Sequence, residues 1–225
     1  MMFAILILMS FCQAALSLMQ PTLANLNANV GIDYDVFSFS NVADVKLSWF
    51  SQTGKYNSTG RDYSAFVGQF HPSKFSFYPS AKNGCTELIK PSVSSYSTYK
   101  CEYATNGGFF TWDTTKPSLC IGNLISDGYI WQLPTDGSGS KRANFGITQE
   151  NEVVIGFIGE APTTLFNFTT LMTGWGWLVR KGQSNVAVSA DIVGSTSFVT
   201  VKAPRTAVGM FKNGTMVLVE IDGNH

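Results

Sequence analysis

Charge is scarce in this chain. Asp, Glu, Lys and Arg make up only 13% of its 225 residues, and fifteen acidic side chains cancel fifteen basic ones. No basic run occurs, so the chain has no electrostatic footprint for nucleic acid or an anionic membrane surface. Histidine is scarcer still: His71 and His225 are the only two, and both lie far from the cysteines in sequence. That removes the usual ligand set for zinc, and no other cluster has metal-ligand spacing. No cofactor is expected. There is no internal repeat, and helix signals are few.

Apolar and small residues fill the space that charge leaves. A hydrophobic fraction of 44%, with seventeen Phe and five Trp, is enough to build a packed core. Residues 1–20 are nearly unbroken hydrocarbon ending in small residues, too short for a comfortable membrane span, and are expected to be a secretory signal peptide cleaved near Ala14. No Lys or Arg precedes this apolar run, which leaves an uncleaved anchor or a buried helix as the alternative. Residues 21–225 are then expected to form one domain. Asn57, Asn167 and Asn213 each open an Asn-x-Ser/Thr acceptor triplet without Pro. Three such triplets behind a signal peptide point to the secretory pathway, whether Golgi lumen, lysosome or extracellular space. Cys12 would leave with the signal peptide. Cys85, Cys101 and Cys120 remain, an odd number that in an oxidising compartment gives one bridge and one leftover thiol.

The patterning predicts an α+β, strand-rich domain with mixed or antiparallel sheets and few helices. Residues 45–50 and 63–70 alternate, while 153–158 and 175–179 are short apolar runs. Residues 198–201 resemble a further strand. Residues 205–211 and 215–221 are strand-like and joined through Lys212-Asn213-Gly214, where Asn-Gly is suited to the positive backbone dihedrals of a tight hairpin. Residues 163–173, beyond Pro162, carry the best helix signal, and 136–140 form a Gly/Ser-rich loop.

Two segments can carry chemistry. In the first, an expected strand from Lys100 runs into Asn106-Gly107-Gly108-Phe109-Phe110. Adjacent glycines let backbone N–H groups face an anion, and the aromatics can wall a sugar; a plain Gly-Gly turn with Phe109 or Phe110 in the core is the competing reading. In the second, Arg205 enters an apolar strand and Asp222-Gly223 closes its hairpin. Arg205 is a candidate clamp for phosphate or carboxylate through its planar fork, or an ordinary surface arginine. Asp222 is a turn residue or a catalytic acid. Trp112, Trp131, Trp175 and Trp177 suit a sugar platform, although Trp175 and Trp177, two residues apart, fit one face of a core strand.

These motifs in order resemble the phosphodiester glycosidase family: Cys101 through Asn106-Gly107-Gly108-Phe109-Phe110 to Cys120-Ile121-Gly122-Asn123-Leu124-Ile125-Ser126-Asp127, then Asn144-Phe145-Gly146-Ile147, Arg205-Thr206-Ala207-Val208-Gly209 and Asp222-Gly223. The resemblance covers roughly residues 85–223. It implies a hydrolase that removes N-acetylglucosamine from a sugar-1-phosphodiester on a phosphorylated glycan or glycoprotein, exposing mannose 6-phosphate; the alternative is an inactive secreted carbohydrate-binding relative. Within the matched motifs, Arg205 and the Gly107-Gly108 amides are expected on phosphate and Asn106 on a phosphate oxygen or sugar hydroxyl. Asp127 or Asp222 is expected as the carboxylate, with Phe109 and Asn144 lining the substrate. The resemblance also implies a Cys85–Cys120 bridge that leaves Cys101 unpaired. Family members continue into a helix and a Leu-Asp-Gly-Gly-Gly-Ser stretch, so the chain is expected to be incomplete at its carboxy-terminal end. Membrane association would then come only through a lost anchor there or an uncleaved signal.

Overall fold

The computed structural model of the chain describes residues 32–43, 45–57, 59–79, 83–88, 90, 100–113, 115–116, 118–133, 141–159 and 165–222. The expected signal peptide and the loop 136–140 lie outside the described residues, as do residues 163–164 and 223–225.

Strand-forming residues dominate, and two large sheets and two two-stranded ribbons result. Strands β1 (Ile32–Ser38), β2 (Ser48–Lys55) and β3 (Asp62–Phe70) come first, and a 3-10 turn over Pro72–Lys74 follows. The short strands β4 (Phe109–Phe110) and β5 (Cys120–Ile121) pair with each other. Strands β6 (Leu124–Ser126), β7 (Tyr129–Gln132), β8 (Asn144–Thr148), β9 (Glu152–Ile158) and β10 (Phe168–Thr173) join β1 in a six-stranded sheet of order β1-β9-β8-β10-β6-β7. A small hairpin, β11 (Val179–Arg180) with β12 (Gln183–Ser184), leads to helices α1 (Val186–Val193) and α2 (Ser197–Thr200). Strands β13 (Arg205–Met210) and β14 (Met216–Ile221) close a four-stranded sheet of order β13-β14-β3-β2. Every strand pairing among the described residues is antiparallel, in keeping with the α+β, strand-rich expectation.

The core lies between the two sheets. Phe70, Val208, Met216 and Leu218 of the smaller sheet meet Leu124, Phe145, Ile147, Val153 and Met172 of the larger. These positions alternate along their strands, as a face buried on one side requires. Each such side chain contributes about 1.5–3 kcal/mol by leaving water, and because the cluster is shared the sheets form one unit. A second cluster of Phe109, Trp175, Ala190 and Phe198 seats α1 and α2 beside β4. At the far edge, Arg180 donates to Asp35 at 2.8 and 3.1 Å and to Asp33 at 2.7 Å, and its guanidinium stacks 4.3 Å over Trp177. That pins β1 to the β11–β12 hairpin. The hydrogen bonds to Asp35 and then Asp33 raise the Arg180 pKa, against the opposing effect of burial.

Several sequence expectations are corrected. Residues 168–173 form β10, not a helix, because Phe168 and Thr170–Thr173 find backbone partners in β8 and Leu171 and Met172 find partners in β6. Conversely, 198–201 is not a strand: Phe198 is drawn into the second cluster and residues Ser197–Thr200 make one helical turn, with Thr200 Oγ1 donating back to Ser197 O at 3.2 Å. Trp175 and Trp177 are buried in irregular chain, and of the run 175–179 only Val179 belongs to a strand. No strand starts at Lys100, and β2 begins at Ser48, not at residue 45. In the β13–β14 turn the positive φ falls on Gly214 alone, at +86°, while Asn213 accepts the Thr215 N–H at 3.0 Å.

Candidate functional site

The register of the four-stranded sheet shows where its inward face stops being apolar. Met216 pairs with Met210 and Phe70, and the next inward row is Val208, Leu218, Gly68 and Trp49. The row after that is Thr206, Glu220, Phe66 and Ser51. Two residues along the strands, hydrocarbon gives way to a hydroxyl, a carboxylate, an exposed ring and another hydroxyl. One further step brings Ser64 and Asp222, where the Asp222 carboxylate accepts the Ser64 N–H at 2.8 Å.

The chain from 103 to 109 closes over this row. Thr105 Oγ1 donates to Glu220 Oε2 at 3.1 Å and lies 3.3 Å from Thr206 Oγ1, and Thr206 Oγ1 donates to Asn106 Oδ1 at 2.9 Å. With its oxygen accepting from Thr206, the Asn106 amide keeps its NH2 group as donor. Gly107 and Gly108 then cross to the other sheet. A Cβ on Gly107 would lie 2.7 Å from the Met172 methyl, the movable end of a flexible side chain, whereas Gly108 has a φ of +68° that favours glycine. Tyr103 packs where Gly68 leaves room. Its hydroxyl is buried without a hydrogen bond among the described residues, and burial, followed by the Glu220 charge, pushes its pKa up to about 12.

Beside Met172 stands a second polar group, fully enclosed. Asn144 Oδ1 accepts from Thr173 Oγ1 at 2.6 Å and from Asn123 Nδ2 at 3.0 Å, and Asn144 Nδ2 donates to Arg142 O at 3.0 Å. The Asn123 N–H donates to Thr173 Oγ1 at 2.7 Å, so the three side chains lock the starts of β6 and β8 to the end of β10. The Asn106-Gly107-Gly108 loop thus runs between a half-open carboxylate group and a buried amide group.

The other expected site residues fall into place around this loop or away from it. Asp222 is on the same face as Glu220, one row farther out and exposed. Phe109 is 4% exposed and edges onto Phe198 at 5.9 Å, so it belongs to the core. Arg205 leaves β13 on the face opposite Thr206. Its guanidinium donates to the carbonyls of Val201 at 2.7 Å and of Phe198 and Pro204 at 3.0 Å each, lies 4.2 Å over the Phe198 ring, and has its pKa lowered by burial. It therefore holds the end of α2, and Phe198 stands between it and Phe109. Asp127 is not brought to the loop: it sits at the opposite end of β6 from Asn123, with φ +50° beside Gly128 at +75°, in the two-residue turn between the paired Ser126 and Tyr129. Those positive dihedrals make Asp127-Gly128 a hairpin turn. Glu220 escaped the sequence reading because a lone Glu in an apolar strand has no motif; the available signal was its place in the alternation Met216, Leu218, Glu220.

Cys85 and Cys120 are joined by a disulfide across 35 residues, tying the approach to the loop onto β5, and Cys101 is free and exposed. Asn57, Asn167 and Asn213 are all exposed at strand ends or turns.

The fold is thus α+β, with an Asn-Gly-Gly loop held between its two large sheets. Residues 99–225 match the phosphodiester glycosidase family, and the chain belongs to it. The N-acetylglucosamine-1-phosphodiester alpha-N-acetylglucosaminidase of Mus musculus is 33% identical over 156 residues, and that of Homo sapiens 31%. Each alignment covers 64% of this chain and 29% of the relative, so the chain corresponds to less than a third of those proteins. Among solved structures, the zebrafish N-acetylglucosamine-1-phosphodiester alpha-N-acetylglucosaminidase catalytic domain, auto-inhibited by its pro-peptide, superposes with a TM-score of 0.70 at 28% identity, over 86% of this chain and 67% of that one.

Proposed function

We propose that this chain carries the phosphate-binding loop and the reaction-site carboxylate of a phosphodiester glycosidase that hydrolyses an N-acetylglucosaminyl phosphodiester on a phosphorylated glycan. The observation that carries the reading is the hydrogen bond from Thr105 Oγ1 to Glu220 Oε2, which holds the carboxylate against the residue that precedes Asn106-Gly107-Gly108. Cleavage breaks the anomeric C–O bond. The phosphate leaves with the bonding electrons, water supplies hydroxide to the anomeric carbon, and its proton ends on the phosphate monoester. Phosphate is a good leaving group, so the protein needs mainly to hold the phosphate, stabilise an oxocarbenium-like centre and orient water. Glu220 supplies negative charge and a proton acceptor, with Asp222 flanking it. The Asn106 amide and the Gly107 and Gly108 N–H groups donate to phosphate oxygens. Arg205 is a positioning residue that fixes α2 behind Phe198 and Phe109, and Asn144 is a positioning residue beneath the loop. The exposed acceptor asparagines and the disulfide fit passage through the secretory pathway.

The test is release of N-acetylglucosamine from a sugar-1-phosphodiester by the full-length protein and by its Glu220→Gln variant. Turnover that falls by about three orders of magnitude in the variant, the scale of losing a charged transition-state partner, supports the reading. Equal turnover in both removes Glu220 from the chemistry. No release by a folded wild type that still binds phosphorylated oligomannose would favour a carbohydrate-binding role.

A further inference from the structure

The inward face of the four-stranded sheet is covered at Val208, Met216, Leu218 and Phe70 and is open along β2, at Phe66 and at Asp222. Phe70 and Leu218 on that face are 5% and 8% exposed, whereas Trp49 is 65% and Phe66 45% exposed. Both rings belong to the same face: Trp49 lies opposite Gly68 and Phe66 opposite Ser51 and Glu220. They are therefore diagonal neighbours on adjacent strands, with backbones about 7–8 Å apart, and the six-stranded sheet does not reach over them. A large ring left in water beside a carboxylate has a cost that packing elsewhere would have removed.

We propose that Trp49 and Phe66 form a carbohydrate platform for the acceptor glycan, the sugar that keeps the phosphate after cleavage. This assignment rests on the reading of Glu220 as the reaction-site carboxylate. The rings have the required chemistry, because the axial C–H face of a pyranose is apolar and carries partial positive charge that matches the negative face of an aromatic ring. Their place selects the acceptor side. β2 is an edge strand, and the platform runs outward from Glu220 toward that edge. The part of the substrate attached to a glycoprotein must stay in solvent, while the released sugar is free to enter the cleft. Ser51, between the two rings, offers a hydroxyl to the sugar.

The experiment uses the full-length protein and its Trp49→Ala and Phe66→Ala variants, with two substrates: N-acetylglucosamine phosphodiester-linked to mannose, and the same sugar phosphate esterified to methanol. Both residues are exposed, and unchanged thermal midpoints will confirm intact folding. Each variant is expected to raise KM for the mannose diester about tenfold, the ratio that ~1.4 kcal/mol gives, to leave kcat within twofold, and to leave the methyl diester unchanged. Trp49→Phe is expected to restore most of the loss. An equal rise for both substrates would overturn the acceptor assignment, because the platform would then hold the group they share. A direct titration of phosphorylated oligomannose, followed by calorimetry, separates this proposal from the catalytic one. Roughly tenfold weaker binding in the variants supports the platform even if no hydrolysis is detected, and unchanged binding overturns it whatever the turnover.

Discussion

Two polar groups flank the Asn106-Gly107-Gly108 loop, and they are built from nearly the same chemistry. One joins Asn123, Asn144 and Thr173, each at most 2% exposed. The other joins Thr105, Asn106 and Thr206 to a half-buried Glu220. Amides and threonine hydroxyls serve in both, yet only the second includes a carboxylate and borders solvent. An amide group closed off from water can stitch strand ends together. The same groups at a mouth, next to a charge that water still reaches, can exchange an internal partner for a ligand. Enclosure, more than residue type, separates the structural group from the one we propose to be reactive.

The sharpest way to break this contrast is Glu220→Gln. It should reduce kcat about a thousandfold while shifting the unfolding midpoint little, since a half-exposed carboxylate with one hydroxyl donor contributes little to folding. Loss of stability with retained turnover would make the two groups alike. In the enclosed group, Asn144→Ala should lower unfolding free energy by roughly 3 kcal/mol in denaturant titration, because it strands the Thr173 hydroxyl, an Asn123 donor and the Arg142 carbonyl in a buried place. A cost under about 0.5 kcal/mol would mean that the group is not what holds β6, β8 and β10 together.

Arg205→Lys comes next. A lysine can reach one of the three carbonyls but cannot span them, so a loss of roughly 1–2 kcal/mol in stability is expected. Activity should fall only as far as α2 shifts. A collapse of kcat with stability intact would return Arg205 to direct contact with phosphate. The smallest expected effect is at Tyr103. A hydroxyl pushed up to about 12 keeps its proton in the folded state where the unfolded chain, near 10, has lost it. The folded state therefore binds the extra proton between about pH 10 and 12, and stability declines as pH rises through that window. Tyr103→Phe should remove this alkaline decline and cost under about 0.5 kcal/mol at neutral pH, since the hydroxyl has no hydrogen bond among the described residues to lose. A wild-type unfolding midpoint that is flat from pH 9 to 12 would contradict the shift.

Much of the frame was legible from local pattern. The alternations that became β3 and β9 and the β13–β14 hairpin are local patterns, and local pleating suffices to express them. The Asn106-Gly107-Gly108 segment stood out in the sequence as a loop with adjacent glycines, and the structure runs it between the two larger sheets with Phe109 in the core. Segments with two competing propensities were not decided locally. Phe168–Thr173 became a strand because β8 and β6 offered it hydrogen bonds on both sides, and Ser197–Thr200 became a helical turn because Phe198 had a pocket to fill against Phe109 and Trp175. Side-chain roles divided the same way. Local sequence sufficed to show that Gly107 and Gly108 give a backbone able to turn, and that Arg205, Asp127 and Asp222 are charges near apolar strands. The folded chain aims Arg205 at the carbonyls of Phe198 and Val201, sets Glu220 under Thr105 and seats Asp222 on the Ser64 N–H. Those outcomes depend on strand register and on which face the other sheet covers. The contacts that hold Glu220 and Asp222 join residues 115 and 158 positions apart, beyond the reach of any local window, whereas the Asp127-Gly128 turn is local.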